Sequence, residues 1–129
     1  MSGRYLLDTN VAIRILNNQI DLEERRDPGV AVFLSVTVVG ELLFGAEKSD
    51  QPEANRSLVE RLIDVCPVVP QNVDTARLYG SVKKRLQQKG RPIPENDIWI
   101  AAAALQYGLT VATDDAHFAQ VEDLAIESW

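Results

Sequence analysis

Residues 5–18 read Tyr-Leu-Leu-Asp-Thr-Asn-Val-Ala-Ile-Arg-Ile-Leu-Asn-Asn. The first three are apolar without alternation, which is typical of a short strand covered on both faces of a parallel sheet. Apolar residues then recur with helical spacing from residue 11 to residue 18, so a helix is predicted to follow the strand. Asp8 stands at the junction. The segment therefore predicts a strand, an acidic side chain and a helix in succession, the unit from which α/β folds are built.

The same alternation continues along the rest of the chain. Short apolar runs predict further strands at residues 31–34, 68–69, 110–112 and 124–126. Helical periodicity predicts helices at residues 38–48, 52–66, 73–89 and 94–107. Residues 21–29 are predicted to form a surface loop or a short helix, and Leu58, Leu62 and Val65 are predicted to share one apolar stripe. Strands that alternate with helices predict a mostly parallel sheet flanked by helices on both sides.

Length and composition restrict the chain to a few classes. Its 129 residues, 46% of them hydrophobic, are enough for one ordinary core and too few for two, so we expect a single domain over residues 1–129. No apolar stretch approaches the roughly 20 residues that span a bilayer, and the first residues show no secretion signal. We therefore expect a cytoplasmic protein without a membrane anchor. The single cysteine, Cys66, is expected to be a small core residue.

Four acidic residues are predicted to lie at the carboxyl ends of strands or in the helical turns that follow them. Ligands bind at this edge of an open parallel sheet. The four residues are Asp8, Glu41, Asp97 and Asp115. Each of them can also be explained as a helix-capping or solvated side chain, because carboxylates are favoured near helix N-termini. Together, however, four like charges would repel one another, and a divalent cation would relieve that repulsion.

A site with oxygen ligands alone favours a hard cation such as Mg²⁺, with Mn²⁺ as a substitute. Such an ion can polarise a phosphodiester and activate water for attack on phosphorus. The chain has one histidine, His117, which excludes cleavage by a pair of histidines acting as acid and base. We interpret His117 as a surface residue or a loop hydrogen-bonding partner, with a substrate contact as the alternative. Thr9, Asn10 and Thr113 adjoin the acids and either orient them or serve as caps and turn residues.

The net charge of −6 argues at first against a nucleic-acid partner, because phosphates usually select a basic surface. The charges are unevenly distributed, however. Residues 75–94 contain six of the 13 basic residues and none of the 19 acidic ones. This basic stripe is either a solvated helix face or a surface that contacts phosphate, and only proximity to a catalytic site would favour the second interpretation.

Four motifs occur along the chain in a specific order and spacing. They are residues 6–10 (LLDTN), 40–46 (GELLFGA), 90–97 (GRPIPEND) with 100–102 (IAA), and 113–118 (TDDAHF). Together they resemble the PIN-domain ribonucleases of the VapC toxin type, and the resemblance extends from Tyr5 to Phe118. One such motif alone would be weak evidence, whereas four in order make the resemblance specific.

The resemblance implies a three-layer α/β/α PIN-like domain with a mostly parallel five-stranded sheet and a Mg²⁺- or Mn²⁺-dependent endoribonuclease activity. It also implies that the metal ligands are Asp8, Glu41, Asp97 and Asp115. Asp115 is chosen over Asp114 because the family pattern is threonine, any residue, acid. The implied substrates are structured RNAs, such as transfer RNA or ribosomal RNA loops. The implied partners are a cognate VapB-type antitoxin, which occludes the site, and a second copy of the chain in a homodimer.

With a ribonuclease as the leading interpretation, the position of the basic stripe directly before Asp97 favours contact with RNA. The candidate residues are Lys83, Lys84 and Arg91. Two other functions remain as alternatives. One is an inactive PIN-like module that only binds a protein. The presence of all four acids of the motifs argues against this alternative. The other is a phospho-acceptor receiver-like signalling domain, which needs a lysine after a late strand that the run at residues 113–115 does not supply.

Overall fold

The computed structural model describes residues 3–129, which form a parallel sheet with helices on both faces. The strands are β1 (Gly3–Leu7), β2 (Val30–Ser35), β3 (Val68–Val69), β4 (Thr110–Ala112) and β5 (Ile126–Glu127). Their order is β3-β2-β1-β4-β5, and every pairing among the described strands is parallel. The predicted three-layer α/β/α architecture is therefore confirmed. The expectation about a secretion signal concerns in part Met1 and Ser2, which lie outside the described residues.

Six α-helices connect and cover the strands. They are α1 (Thr9–Leu16), α2 (Leu22–Arg25), α3 (Val36–Glu47), α4 (Pro52–Val65), α5 (Val73–Gln88) and α6 (Glu95–Tyr107), and a 3₁₀ helix (Ala116–Gln120) precedes β5. α2 falls within the segment predicted as a loop or a short helix. The other helices and all the strands begin and end within two residues of their predicted bounds. Periodicity and local capping therefore account for most of the secondary structure.

The ends of the helices have local causes. The Ser35 hydroxyl accepts a hydrogen bond from the Val38 N–H at 3.1 Å and starts α3. Asn72 and Thr75 form a reciprocal capping box at the start of α5. Gly108 ends α6 in the left-handed conformation, with φ of 65°, which favours glycine.

The core lies between the central strands and the helices packed on them. Leu6 and Leu7 of β1 and Val111 of β4 are fully buried. The four consecutive alanines of α6, Ala101–Ala104, are also buried, and α6 contacts α3, α5 and β4. Cys66 is buried as expected, and its burial raises the pKa of the thiol to about 11, so the thiol stays protonated at neutral pH.

The predicted apolar stripe of α4 is wrong in detail. The structure buries Val59 and Leu62, whereas Leu58 and Val65 remain 38% and 40% exposed. The cause is the packing of α4 on α3, which turns the helix by about one residue relative to the predicted face. None of the helices formed by residues 3–129 combines the length and the apolar character that a membrane crossing would require.

The sheet brings distant parts of the sequence to one edge. β1 lies between β2 and β4, and the Asp8 N–H donates to the Ala112 carbonyl at 3.0 Å, just beyond the last paired residues. Because the strands are parallel, the residues that follow them meet at the same carboxyl edge. This edge therefore carries Asp8, the start of α3 and Thr113.

Candidate active site

Asp8 is the most buried of the predicted acids, with only 3% of its surface exposed. It caps α1, and its Oδ1 accepts the Thr9 N–H at 2.7 Å. Its Oδ2 accepts the Thr113 hydroxyl at 2.8 Å. Burial raises the pKa of Asp8, the two hydrogen bonds oppose that shift, and the nearby charges of Asp115 and Glu41 add to it. Asp8 therefore both caps α1 and belongs to the group of acids that it forms with Glu41, Asp97 and Asp115, called the acidic cluster below.

Asp97 lies in the first turn of α6, and its side chain is 15% exposed. Burial and the negative charges of Asp8 and Asp115 raise the pKa of Asp97 to about 6, although the contact with His117 lowers it. Asp97 makes no capping hydrogen bond, since the N-cap residue of α6 is Pro94. A simple structural role as a helix cap is therefore excluded for this carboxylate.

Asp115 approaches Asp97 from the turn after β4. Its N–H donates to the Thr113 hydroxyl at 2.9 Å, and its Oδ1 accepts the His117 N–H at 2.9 Å, which caps the 3₁₀ helix. The neighbouring acid, Asp114, is turned away and forms an ion pair with Arg14 of α1 at 3.2 Å. The structure thus brings Asp115, and not Asp114, to the other carboxylates.

His117 lies closer to the acids than the sequence interpretation favoured. Its Nδ1 is 3.0 Å from Asp115 Oδ1 and 3.3 Å from Asp97 Oδ2. These three side chains offer ligand atoms that lie within 4.8 Å of one another. A proton on Nδ1 makes both contacts favourable. The sequence feature that could have predicted this contact is the separation of two residues between Asp115 and His117, because a turn can place such residues side by side.

Glu41 joins the group from α3. The Thr9 hydroxyl donates to Glu41 Oε1 at 2.9 Å, and the charge of Glu41 contributes to the raised pKa of Asp8. Two of the predicted orienting residues, Thr9 and Thr113, therefore contact carboxylates. Asn10 is exposed, and within residues 3–129 the structure gives its side chain no hydrogen bond to any of the acids.

The donor set suits a hard divalent cation. The ligand atoms within 4.8 Å of one another belong to two carboxylates, Asp97 and Asp115, and to the imidazole of His117. Asp8 lies close enough for its charge to raise the pKa of Asp97, and Glu41 acts on Asp8 in the same way. Oxygen ligands of this kind favour Mg²⁺ or Mn²⁺ over softer metals. Burial, and to a smaller extent the neighbouring carboxylates, raise the pKa values of Asp8 and Asp97, and a bound cation would offset both effects by favouring the ionised acids. The residues present therefore fit the predicted ion.

The three basic candidates differ in their surroundings. Lys83 forms an ion pair with Glu95 and a hydrogen bond of 3.2 Å to the Tyr79 hydroxyl, and its Nζ lies 5.6 Å from the Tyr79 ring centroid. Lys84 and Arg91 are exposed, and neither forms an ion pair with any residue between 3 and 129. Lys84 and Arg91 are thus better placed to meet phosphate than Lys83, whose charge is already engaged.

Glu41 lines two clefts. The α1–α4 groove, between α1, α3 and α4, has a volume of about 250 Å³. Its walls are mainly aliphatic and include Ile13, Leu16, Leu42, Leu58 and Val59. The α3–α6 cleft has a volume of about 480 Å³. It is lined by Val36, Thr37, Gly40, Phe44, Gln71, Asn96 and Trp99.

Comparisons with known proteins cover nearly the whole chain. Residues 5–124 match the sequence profile of the PIN domain. The chain is 33% identical over 130 residues to ribonuclease VapC2 of Haemophilus influenzae, and equally to the tRNA(fMet)-specific endonuclease VapC of Shigella flexneri, with 98% of each chain covered. It superposes with a TM-score of 0.90 and 27% identity on a chain of VapBC2 from Rickettsia felis, solved bound to a promoter DNA fragment, with 98% of both chains covered. The similarity spans every element that carries the acidic cluster.

Proposed function

The chain belongs to the PIN-domain family of VapC ribonucleases, and from that premise we propose that it is a magnesium-dependent endoribonuclease toxin with its active site at the acidic cluster. The proposed ligands and catalytic residues are Asp8, Glu41, Asp97 and Asp115. The observation that carries the proposal is the position of Asp97, a carboxylate that makes no helix cap and has a ligand atom within 4.8 Å of those of Asp115 and His117. Mn²⁺ is expected to replace Mg²⁺. We further propose that residues 1–129 act as one PIN domain.

In the proposed mechanism the carboxylates are held in place before the substrate binds. The Thr9 N–H and the Thr113 hydroxyl keep both oxygens of Asp8 oriented. The Thr9 hydroxyl holds one oxygen of Glu41, so the other can accept a hydrogen bond from the attacking water. When bound, the ion neutralises the acids, polarises the phosphodiester and lowers the pKa of water. Asn10, which is exposed, is proposed only as a contact to substrate or solvent.

The proposed substrate is a structured RNA, either transfer RNA or a ribosomal RNA loop. The Shigella flexneri relative is named as a tRNA(fMet)-specific endonuclease, which supports transfer RNA as the first candidate. Lys84 and Arg91, and Lys83 where Glu95 releases it, would meet phosphates on the approach to Asp97. Because transfer RNA is a cytoplasmic molecule, we place the protein in the cytoplasm.

The proposed protein partners are a VapB-type antitoxin and a second copy of the chain. The Rickettsia felis relative is part of a VapBC pair. The α1–α4 groove suits an apolar antitoxin segment, because Ile13 and Leu58 are 40% and 38% exposed there. Glu41 lines the same groove, so a segment bound in it would lie beside the carboxylates and occlude them.

The proposal is tested with purified, antitoxin-free protein and total RNA. Cleavage that requires Mg²⁺ or Mn²⁺ and stops when EDTA is added is the expected result. No cleavage with either metal, by protein whose fold is intact by circular dichroism, would favour an inactive PIN-like module. Labelling by acetyl phosphate would instead favour a receiver-like signalling domain.

A further inference from the structure

We propose that the α3–α6 cleft is a nucleobase-binding subsite, which holds a base of the RNA next to the phosphate that is cut. The proposal rests on the ribonuclease function proposed above and adds residues that would select the cleavage site. The side chains that carry it are Phe44, Trp99, Gln71 and Asn96, all of which line the cleft.

The cleft adjoins the acidic cluster. Glu41 accepts a hydrogen bond from the Thr9 hydroxyl in the acidic cluster, and it also lines the cleft. Asn96, another residue of the cleft, directly precedes Asp97. A base is joined to its phosphate through a single sugar, so a phosphate held by the carboxylates brings its base to an adjoining surface. The cleft volume of about 480 Å³ lies within the range of roughly 300–1,000 Å³ found for small-ligand pockets. A base therefore fits both the position and the size of the cleft.

Two aromatic side chains in the cleft can stack on a base. Trp99 is itself stacked on Tyr79, with ring centroids 4.1 Å apart and an interplanar angle of 14°, which fixes the indole. Phe44 is 64% exposed, more than any other aromatic side chain among the described residues. Unpaired bases of RNA are bound by stacking on such rings. The aliphatic α1–α4 groove offers no aromatic side chain, so this property separates the two clefts.

Gln71 adds a hydrogen-bond donor of defined orientation. Both the N–H of Thr37 and its hydroxyl donate to Gln71 Oε1, at 2.8 and 2.7 Å. A backbone N–H can only donate, so the atom facing Thr37 must be the carbonyl oxygen, and Nε2 points elsewhere. Because Gln71 lines the cleft, this amide can donate to an acceptor on the edge of a base, such as a carbonyl oxygen of guanine or uracil. The subsite therefore predicts a base preference, which stacking alone would not give.

The test uses the full-length protein with the substitutions Phe44→Leu, Trp99→Leu and Gln71→Glu. Leucine keeps an apolar side chain and removes the aromatic face. Glutamate keeps an oxygen for Thr37 and replaces the donor by an acceptor. The matched control is Val65→Ala, because Val65 is a 40% exposed apolar residue of α4 outside both clefts.

Three measurements are made on each variant, the first of which is the initial rate of cleavage against RNA concentration, which gives KM and kcat. Binding of labelled single-stranded RNAs that differ in one base is followed by fluorescence anisotropy in an Asp8→Asn background, so that it does not depend on cleavage. The positions of cuts in total RNA are mapped by sequencing fragment ends. We expect Phe44→Leu and Trp99→Leu to weaken binding and raise KM by about tenfold each, as for loss of a stacked base, with kcat nearly unchanged. Gln71→Glu is expected to change which base lies beside the cut, and Val65→Ala to change nothing.

Unaltered RNA binding and unaltered cut positions in both leucine variants would overturn the subsite. A shift from dimer to monomer in these variants by light scattering, with activity restored at higher protein concentration, would identify the face as a protein interface and would also overturn it. If Trp99→Leu unfolds, Phe44→Leu decides, since its side chain is mostly exposed. If the unaltered protein cuts no RNA, the proposed function is refuted. The cleft is still tested in that case, because the binding measurement does not depend on cleavage.

Discussion

The Thr113 hydroxyl donates to Asp8 Oδ2 at 2.8 Å and so joins two residues that are 105 positions apart in the chain. The same hydroxyl accepts the Asp115 N–H at 2.9 Å. One threonine at the end of β4 therefore fixes both the carboxylate at the end of β1 and the turn that carries Asp115. The geometry of the cluster thus depends on the parallel pairing of β1 with β4.

Thr113→Val tests this arrangement, because valine keeps the shape of threonine and lacks the hydroxyl. We expect Mn²⁺ affinity to fall by roughly 10–100-fold, as when a residue that orients a metal ligand is lost. The free energy of unfolding should also fall by about 1–3 kcal/mol, since buried polar groups lose a partner. Calorimetric titration and urea denaturation measure the two effects. Thr113→Ser should restore both, and unchanged Mn²⁺ affinity in Thr113→Val would contradict the role assigned to the hydroxyl.

The raised pKa of Asp97, about 6 in the folded protein against an ordinary value of 3.8, predicts a pH dependence of stability. Ionised Asp97 destabilises the fold, and this cost is complete above pH 6 and absent below pH 3.8. The metal-free protein should therefore become more stable as the pH falls from about 7.5 to about 5, by about 1.4 kcal/mol, because pH 5 lies one unit below the folded pKa. The raised pKa of Asp8 acts in the same direction.

Urea denaturation of metal-free protein at the two pH values measures this effect. Asp97→Asn is the control, because asparagine cannot ionise, and most of the gain on acidification should disappear in that variant. An equal gain in Asp97→Asn and in the unaltered protein would show that other groups are responsible.

The adjacent acids Asp114 and Asp115 provide a matched pair. Asp115→Asn should reduce cleavage by more than the roughly 10–100-fold typical of losing a residue that only orients a ligand. Asp114→Asn removes the charged partner of Arg14, so cleavage should change little. Stability should fall modestly, because Arg14 Nη2 is buried and has no hydrogen bond among the described residues. Initial rates on the same RNA compare the two variants. A larger defect in Asp114→Asn would mean that the wrong acid was assigned to the site.

The sequence predicted the convergence of the acids because parallel strands impose it. Once β1 and β4 were identified from their apolar runs, Asp8 and Asp115 had to lie at the same edge of the sheet. The position of Asp97 was predicted from the start of α6. Local periodicity was enough to predict these positions, because the parallel pairing of the strands determines which distant residues meet.

Features that depend on packing between elements could not be predicted in this way. The contact of His117 with Asp97 arises from a short 3₁₀ turn whose direction no periodic pattern encodes. The ion pair that engages Lys83 requires α5 to lie against α6, which places Glu95 beside it. The predicted apolar face of α4 is wrong for the same reason, because the packing of α4 on α3 sets the rotation of the helix.

Asp8→Asn combines the catalytic and the structural consequences of the cluster. Cleavage should be abolished, because the most buried proposed ligand is neutralised. The metal-free variant should nevertheless be as stable as the unaltered protein or more so, since one of several repelling charges is removed.

Mn²⁺ binding gives the measurement. At about 100 times its dissociation constant, Mn²⁺ stabilises a folded protein by about 2.7 kcal/mol, which for a chain of this size raises Tm by roughly 8 °C. Thermal unfolding with and without Mn²⁺ should show that shift in the unaltered protein, none in Asp8→Asn, and a full shift in the Val65→Ala control. A large drop in the Tm of metal-free Asp8→Asn would instead mean that Asp8 serves mainly as the cap of α1, because the loss would then come from its hydrogen bonds to Thr9 and Thr113 rather than from its charge.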